Sequence, residues 1–153
     1  MLDPVEISFR RFFFSRAIEA AELGAAIKEV LGWPAVRAFV FTDVEELLKR
    51  PHADFGLQLF RHTHGQFPIS LEIYPPEGAG PLRGCGSVVE ATCKLARISG
   101  ANVLIGDDTT LAPNAFLLCA AEGGVLTCAA AETLDGGLVL RGGARKLSAP
   151  SGD

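Results

Sequence analysis

The clearest pattern in the chain is the period-two alternation over residues 55–74, where Leu57 and Leu59, then Ile69, Leu71 and Ile73, recur at every second position. Pairing Leu59 with Leu71 and Leu57 with Ile73 requires a turn at His64, Gly65 and Gln66. A slip of one residue would set apolar side chains opposite polar ones, so the hairpin register is well specified. That register leaves Phe60, His62, Ser70, Glu72 and Tyr74 on the outer face.

Elsewhere the period switches between strand and helix. Residues 5–14, with Phe9, Phe12, Phe13 and Phe14 around Arg10 and Arg11, read as a first strand. Ser15 is placed to N-cap a helix over 16–31, with Leu23, Ile27, Val30 and Leu31 as its apolar stripe and Gly32 as its stop. A second strand follows over 35–41. Thr42 and Glu45 then form a capping box for a short helix that Pro51 ends. Ser87 and Glu90 form another box at the head of a helix over 87–98, wet along Glu90, Lys94 and Arg97. Past Gly100 come four strands, 102–105, 115–120, 125–129 and 138–141, turning at Gly123-Gly124 and at Asp135-Gly136-Gly137. Closing the first of these hairpins on its two glycines sets Cys119 opposite Cys128. Hairpins dominate, which predicts a single α+β domain over 1–141, with a mostly antiparallel sheet and two main helices packed on one face. Residues 142–153 are small and polar and read as a flexible C-terminal tail.

Composition narrows the class. A hydrophobic fraction of 48% and a charged fraction of 21% over 153 residues exclude disorder and fit one self-sufficient core. The net charge of −4 speaks against capture of nucleic acid. The longest uncharged run, 109–121, is well short of the roughly 20 residues of a membrane span, and no signal-peptide pattern opens the chain, so the expected location is cytoplasmic. Cys85, Cys93, Cys119 and Cys128 match no zinc spacing and read as reduced thiols.

Candidate chemistry is sparse. His62 and His64 share a strand face and, with Glu72, would make three ligands for a metal, but two histidines at the mouth of a turn have an ordinary surface explanation. Cys85 stands between Gly84 and Gly86 ahead of a helix N-terminus, where a thiolate is favoured, and His62 or His64 would serve as its base in a small cysteine-dependent enzyme. Exposed aromatics in 9–14, or Phe60 and Tyr74, would join copies of the chain into a homodimer or larger scaffold. The strongest asymmetry is electrostatic: Asp107, Asp108, Glu122, Glu132 and Asp135 fall in 98–140 with no Lys or Arg among them.

The second half carries a capped helix over 87–98, the strand Val103-Leu104-Ile105, then Asp107 and Asp108. A loop through Pro113 and Asn114 leads to a strand over 116–119, a glycine turn and a further strand. This order of residue types resembles small immunity proteins of bacterial polymorphic-toxin and contact-dependent inhibition systems, over roughly 85–141. The resemblance implies a non-enzymatic inhibitor that binds and occludes a cognate toxin, and no cofactor is expected. An acidic face of Asp107, Asp108, Glu122 and Glu132 would steer it toward a basic protein partner.

Overall fold

The computed structural model describes residues 11–32, 37–49, 54–74, 88–107 and 114–146. Eight strands form one sheet in the order β2-β3-β4-β1-β5-β6-β7-β8, from β1 (Arg11–Phe14), β2 (Ala38–Phe41), β3 (Phe55–Arg61), β4 (Ile69–Tyr74), β5 (Val103–Gly106), β6 (Ala115–Cys119), β7 (Val125–Glu132) and β8 (Leu138–Lys146). Every neighbouring pair is antiparallel except β2 and β3. Two helices, α1 (Ala20–Leu31) and α2 (Val88–Ser99), pack against each other on one face. The molecule is thus an α+β domain of the kind the hairpin-rich pattern predicts.

The β3–β4 register is the one that alternation dictates, with Leu59 opposite Leu71 and Leu57 opposite Ile73. Those side chains, with Phe12, Phe14, Val103 and Ile105, meet Leu23, Ile27, Val30, Ala91 and Leu95 of the helices in the main core. Strand β1 joins β4 to β5 and so connects the two halves of the sheet.

Three local expectations shift. Helix α1 begins at Ala20 behind Glu19, which makes no side-chain cap, because Ser15 is engaged elsewhere: its Oγ accepts from Asn102 N at 2.9 Å and its N–H donates to Asn102 O at 3.0 Å. Arg16 likewise leaves the helix surface to donate to the Ser99 and Gly100 carbonyls, where a cation suits the C-terminal end of α2. After β2, a short 3₁₀ helix (Val44–Lys49) is capped one residue later than Thr42 and Glu45 suggest. Asp43 Oδ1 accepts from Glu45 N at 3.0 Å, and Glu46 Oε1 accepts from Asp43 N at 3.1 Å. The Asp43 amide first, then the Thr42 amide, which also donates to Glu46 Oε1 at 3.4 Å, lower the Glu46 carboxyl below its ordinary range.

The β6–β7 register also departs from expectation. Cys119 lies opposite Val125 and Cys128 opposite Phe116, because Ala120 N donates to Gly124 O and the turn occupies 121–123. Cys119 and Cys128 therefore belong to opposite faces of the sheet. Strand β8 continues to Lys146, taking in five residues of the expected tail. Leu126 pairs with Lys146 and Thr127 with Arg145, and a register shift in β7 falls between Thr127 and Ala129. Residues 147–153 lie outside the described ones.

The face away from the helices is not flat. The sheet curls until the turn between β7 and β8 reaches the turn between β3 and β4, enclosing a second, smaller core of Phe13, Phe67, Leu104, Leu118, Ala130 and Leu138. Phe13 is buried in this core and Phe12 and Phe14 in the main one, so the reading of 9–14 as an exposed oligomerisation surface fails for these three; Phe9 lies outside the described residues.

Candidate functional site

The junction of the two turns is built on one carboxylate. Asp135 Oδ2 accepts from Thr63 N, from Thr63 Oγ1 at 3.1 Å and from His64 N at 3.3 Å, while Oδ1 accepts from Thr133 Oγ1 at 2.7 Å and from Gly137 N at 3.3 Å. Gln66 completes the join, its N–H donating to Leu138 O at 2.9 Å and its Oε1 accepting from Leu140 N at 2.6 Å. Sequence reasoning saw Asp135 as a turn residue, and the Thr-Leu-Asp-Gly-Gly run does signal an Asx-type turn. Its partners lie some seventy positions upstream, at Thr63 and His64.

The Thr133 hydroxyl first, then the Thr63 and Gly137 amides, hold the Asp135 carboxyl well below its usual range. A folded-state pKa below the unfolded one stabilises the fold above the unfolded pKa and is lost as pH falls. The junction is expected to weaken below about pH 4. In Asp135→Asn this contribution to the acid limb should disappear from a pH series of thermal melts; an acid limb identical to that of the parent chain would contradict the assignment.

The two histidines are divided by this junction. His62, 7% exposed, stacks on Phe13 with centroids 5.8 Å apart. Its Nδ1 is 3.2 Å from Asp135 O and its Nε2 is 2.8 Å from Ser70 Oγ. A carbonyl oxygen only accepts, so Nδ1 carries a hydrogen and donates it. The outer-face residues His62 and Ser70 are thus buried, because the curl covers them. His64 is exposed in the turn, its Nδ1 at 3.0 Å from Thr63 Oγ1 and 3.7 Å from Asp135 Oδ2. Glu72, the third ligand considered, receives Arg11 Nε at 3.0 Å and Nη2 at 2.6 Å. Among the described residues no group of three His, Cys, Asp or Glu side chains is placed to hold a metal ion. Cys85 lies outside the described residues.

Beside the junction the second face carries a polar and aromatic row. The Arg11 guanidinium lies 3.8 Å from the Phe60 ring centroid, and Tyr74 Oη is 2.9 Å from Gln58 Oε1 and 3.2 Å from Glu72 Oε1. Partial burial, then the Glu72 charge, raise the Tyr74 hydroxyl above its ordinary pKa. Phe41 stands 5.7 Å from the Tyr74 ring and 6.0 Å from Phe39. A groove of about 400 Å³ runs along Arg11, Thr42, Phe60, Arg61, His62 and Asp135. Arg11 is paired with Glu72 and both His62 ring nitrogens are engaged with Ser70 and Asp135, so the half-buried Phe60 ring and the exposed Arg61 are what the groove presents to an incoming surface. On the β6–β8 side the same face presents Phe116, Leu126, Cys128 and Leu140, all half-buried.

The acidic residues fall into two places. Asp107 N donates to Ala115 O at 3.0 Å, and Ala115 pairs with Ala129, which puts Asp107 toward the same end of the β5–β7 meander as Glu132. Exposed Leu134 stands at that rim too. Glu122 is exposed in the β6–β7 turn, at the other end of β6, about 15 Å away by strand rise. Asp108 lies outside the described residues. Strand β8 runs Arg141 beside Ala129 and Arg145 beside Thr127, so the stretch without bases in sequence has basic positions next to it in space. Among the described residues, the acids of 98–140 stand toward the two ends.

Fold and site together define an α+β domain with one helix-covered sheet face and one curled, aromatic-lined face. No family model, no curated protein and no solved structure matches the chain. No helix among the described residues is long and apolar enough to cross a membrane.

Proposed function

We propose that this chain is a non-enzymatic protein-binding domain acting in the cytoplasm, an immunity protein that occludes a basic bacterial toxin with the second face of its sheet. The observation that carries the reading is the state of that face. Among the described residues no helix covers it, and it leaves Arg11, Phe39, Phe60, Tyr74, Phe116, Leu126 and Leu140 half-buried. Aromatic residues and arginine are the types that anchor protein interfaces, and a half-wet aromatic row gains from being covered. The engagement of both His62 ring nitrogens favours binding over chemistry at the adjoining groove.

The acids set the approach. Asp107 and Glu132 toward one end and Glu122 at the other, together with Asp108, the residue that follows Asp107 in sequence, would steer a basic partner onto the open face. Where the gene neighbouring this chain's own encodes a basic toxin-type protein, that protein is the probe, and Asp107→Lys with Asp108→Lys should slow its association about tenfold at low salt. The difference should shrink as salt is added. Phe60→Ala should instead act on dissociation, speeding it by about tenfold or more. On-rates equal to the parent at every ionic strength would remove the acidic residues from the interface.

A further inference from the structure

Cys93 stands on α2, half-buried against the main core, and Cys119 ends β6 fully buried within it. Helix α2 packs on β6, and Cys93 lies against the core cluster that holds Cys119, which brings the two thiols within reach of each other. We propose that Cys93 and Cys119 form a peroxide-reactive dithiol that closes reversibly into a disulfide tying α2 to β6. This inference stands apart from the binding face, which lies on the opposite side of the sheet.

The two environments divide the roles. Cys93 is reachable from solvent, and its thiol is lowered to about 7, first by the Cys119 hydrogen bond and then by Arg97, against the opposing effect of burial. Cys119 is pushed up by the same hydrogen bond and by its burial. Thiolate is the reactive form, and a thiol titrating near ambient pH combines availability with nucleophilicity, so Cys93 attacks first.

Its sulfur takes one oxygen of hydrogen peroxide: the S–O bond forms, the O–O bond breaks, and hydroxide leaves and is protonated to water. Cys93 is then a sulfenic acid, oxidised by two electrons. The Cys119 sulfur displaces the hydroxyl from Cys93; the S–S bond forms, the S–O bond breaks, and the Cys119 proton leaves with the hydroxyl as a second water. Two thiols and one peroxide give one disulfide and two waters. A small-molecule dithiol restores both cysteines by exchange. Cys128 takes no part, since β7 carries it on the other face, where burial raises its thiol.

The sequence supplies a direct test in the unmodified chain. Cleavage after Glu90 and Glu122 releases a peptide, 91–122, that holds Cys93 and Cys119 and no other cysteine. After treatment of the folded protein with stoichiometric peroxide and alkylation of free thiols, this peptide should carry no alkyl group and be lighter by two hydrogens. Dithiothreitol before alkylation should return it to the doubly alkylated form. Cys119→Ser should leave Cys93 to collect oxygen atoms. A parent peptide that stays doubly alkylated, or gains oxygen on Cys93 while Cys119 remains alkylated, would overturn the proposal.

Discussion

Phe14→Ala is expected to cost about 3–5 kcal/mol of folding stability, the cost of deleting a buried aromatic ring. The ring is 0% exposed, and its strand is the one that joins the two halves of the sheet: Phe14 lies opposite Ile69 of β4 and opposite Val103 of β5. A domain of this size has about 5–15 kcal/mol in total, so the loss is roughly a fifth of the stability or more. Urea unfolding should show a lower midpoint with an unchanged slope. Where the alanine variant does not accumulate, Phe14→Leu keeps most of the volume and should cost about 1.5 kcal/mol. Phe60→Ala, on the half-buried second face, should cost less than Phe14→Ala. Equal costs at the two positions would contradict the division of the sheet into a helix-covered and an open face.

Gly65→Ala is the second large expected effect, and it acts on the join between the two turns. Gly65 has φ +91°, and a Cβ built there would lie 2.5 Å from Leu138 O. A left-handed conformation costs an alanine about 1–2 kcal/mol and the forced displacement about 1–3 kcal/mol more. Gly123→Ala separates the two contributions, because Gly123 has φ +110° with nothing within 4 Å of an added Cβ. It should show the conformational cost alone, about 1–2 kcal/mol. Hydrogen exchange should locate the difference, with Gly65→Ala speeding exchange at Gln66, Gly137 and Leu140 and Gly123→Ala leaving those amides protected. Protection retained in both variants would mean that β8 holds its place without the β3–β4 turn.

What the sequence reveals and conceals follows from the range of the forces involved. The β3–β4 register was legible because leucine and isoleucine alternate with positions that face the other way, so a slip is penalised at every pair. The β6–β7 register was not, because Leu117 and Leu118 are both apolar and residues 129–131 are all alanine, which gives neighbouring registers similar patterns. Ser15 carries the signature of an N-cap, yet Asn102 outcompetes the helix for it across the β1–β5 join. The burial of His62 and Ser70 on a face read as outward needed the curl, and the curl depends on Asp135 reaching Thr63 and on Gln66 reaching Leu138 and Leu140. Local pattern describes each hairpin; it does not describe two turns meeting. The acidic stretch met the same limit, since β8 sets Arg141 and Arg145 beside residues that have no basic neighbours in sequence.

We propose that the chain works by covering a toxin with its open sheet face, and growth inhibition in a living cell is the sharpest test. The expected partner is a basic toxin from the gene neighbouring this chain's own, and that neighbouring product, expressed alone in a bacterial host, should arrest growth. Co-expression with the parent chain should restore growth and yield a complex that survives purification, while Phe60→Ala combined with Asp107→Lys should restore growth only in part. Arrest at the same rate with and without the parent chain, with no complex recovered, would contradict the account.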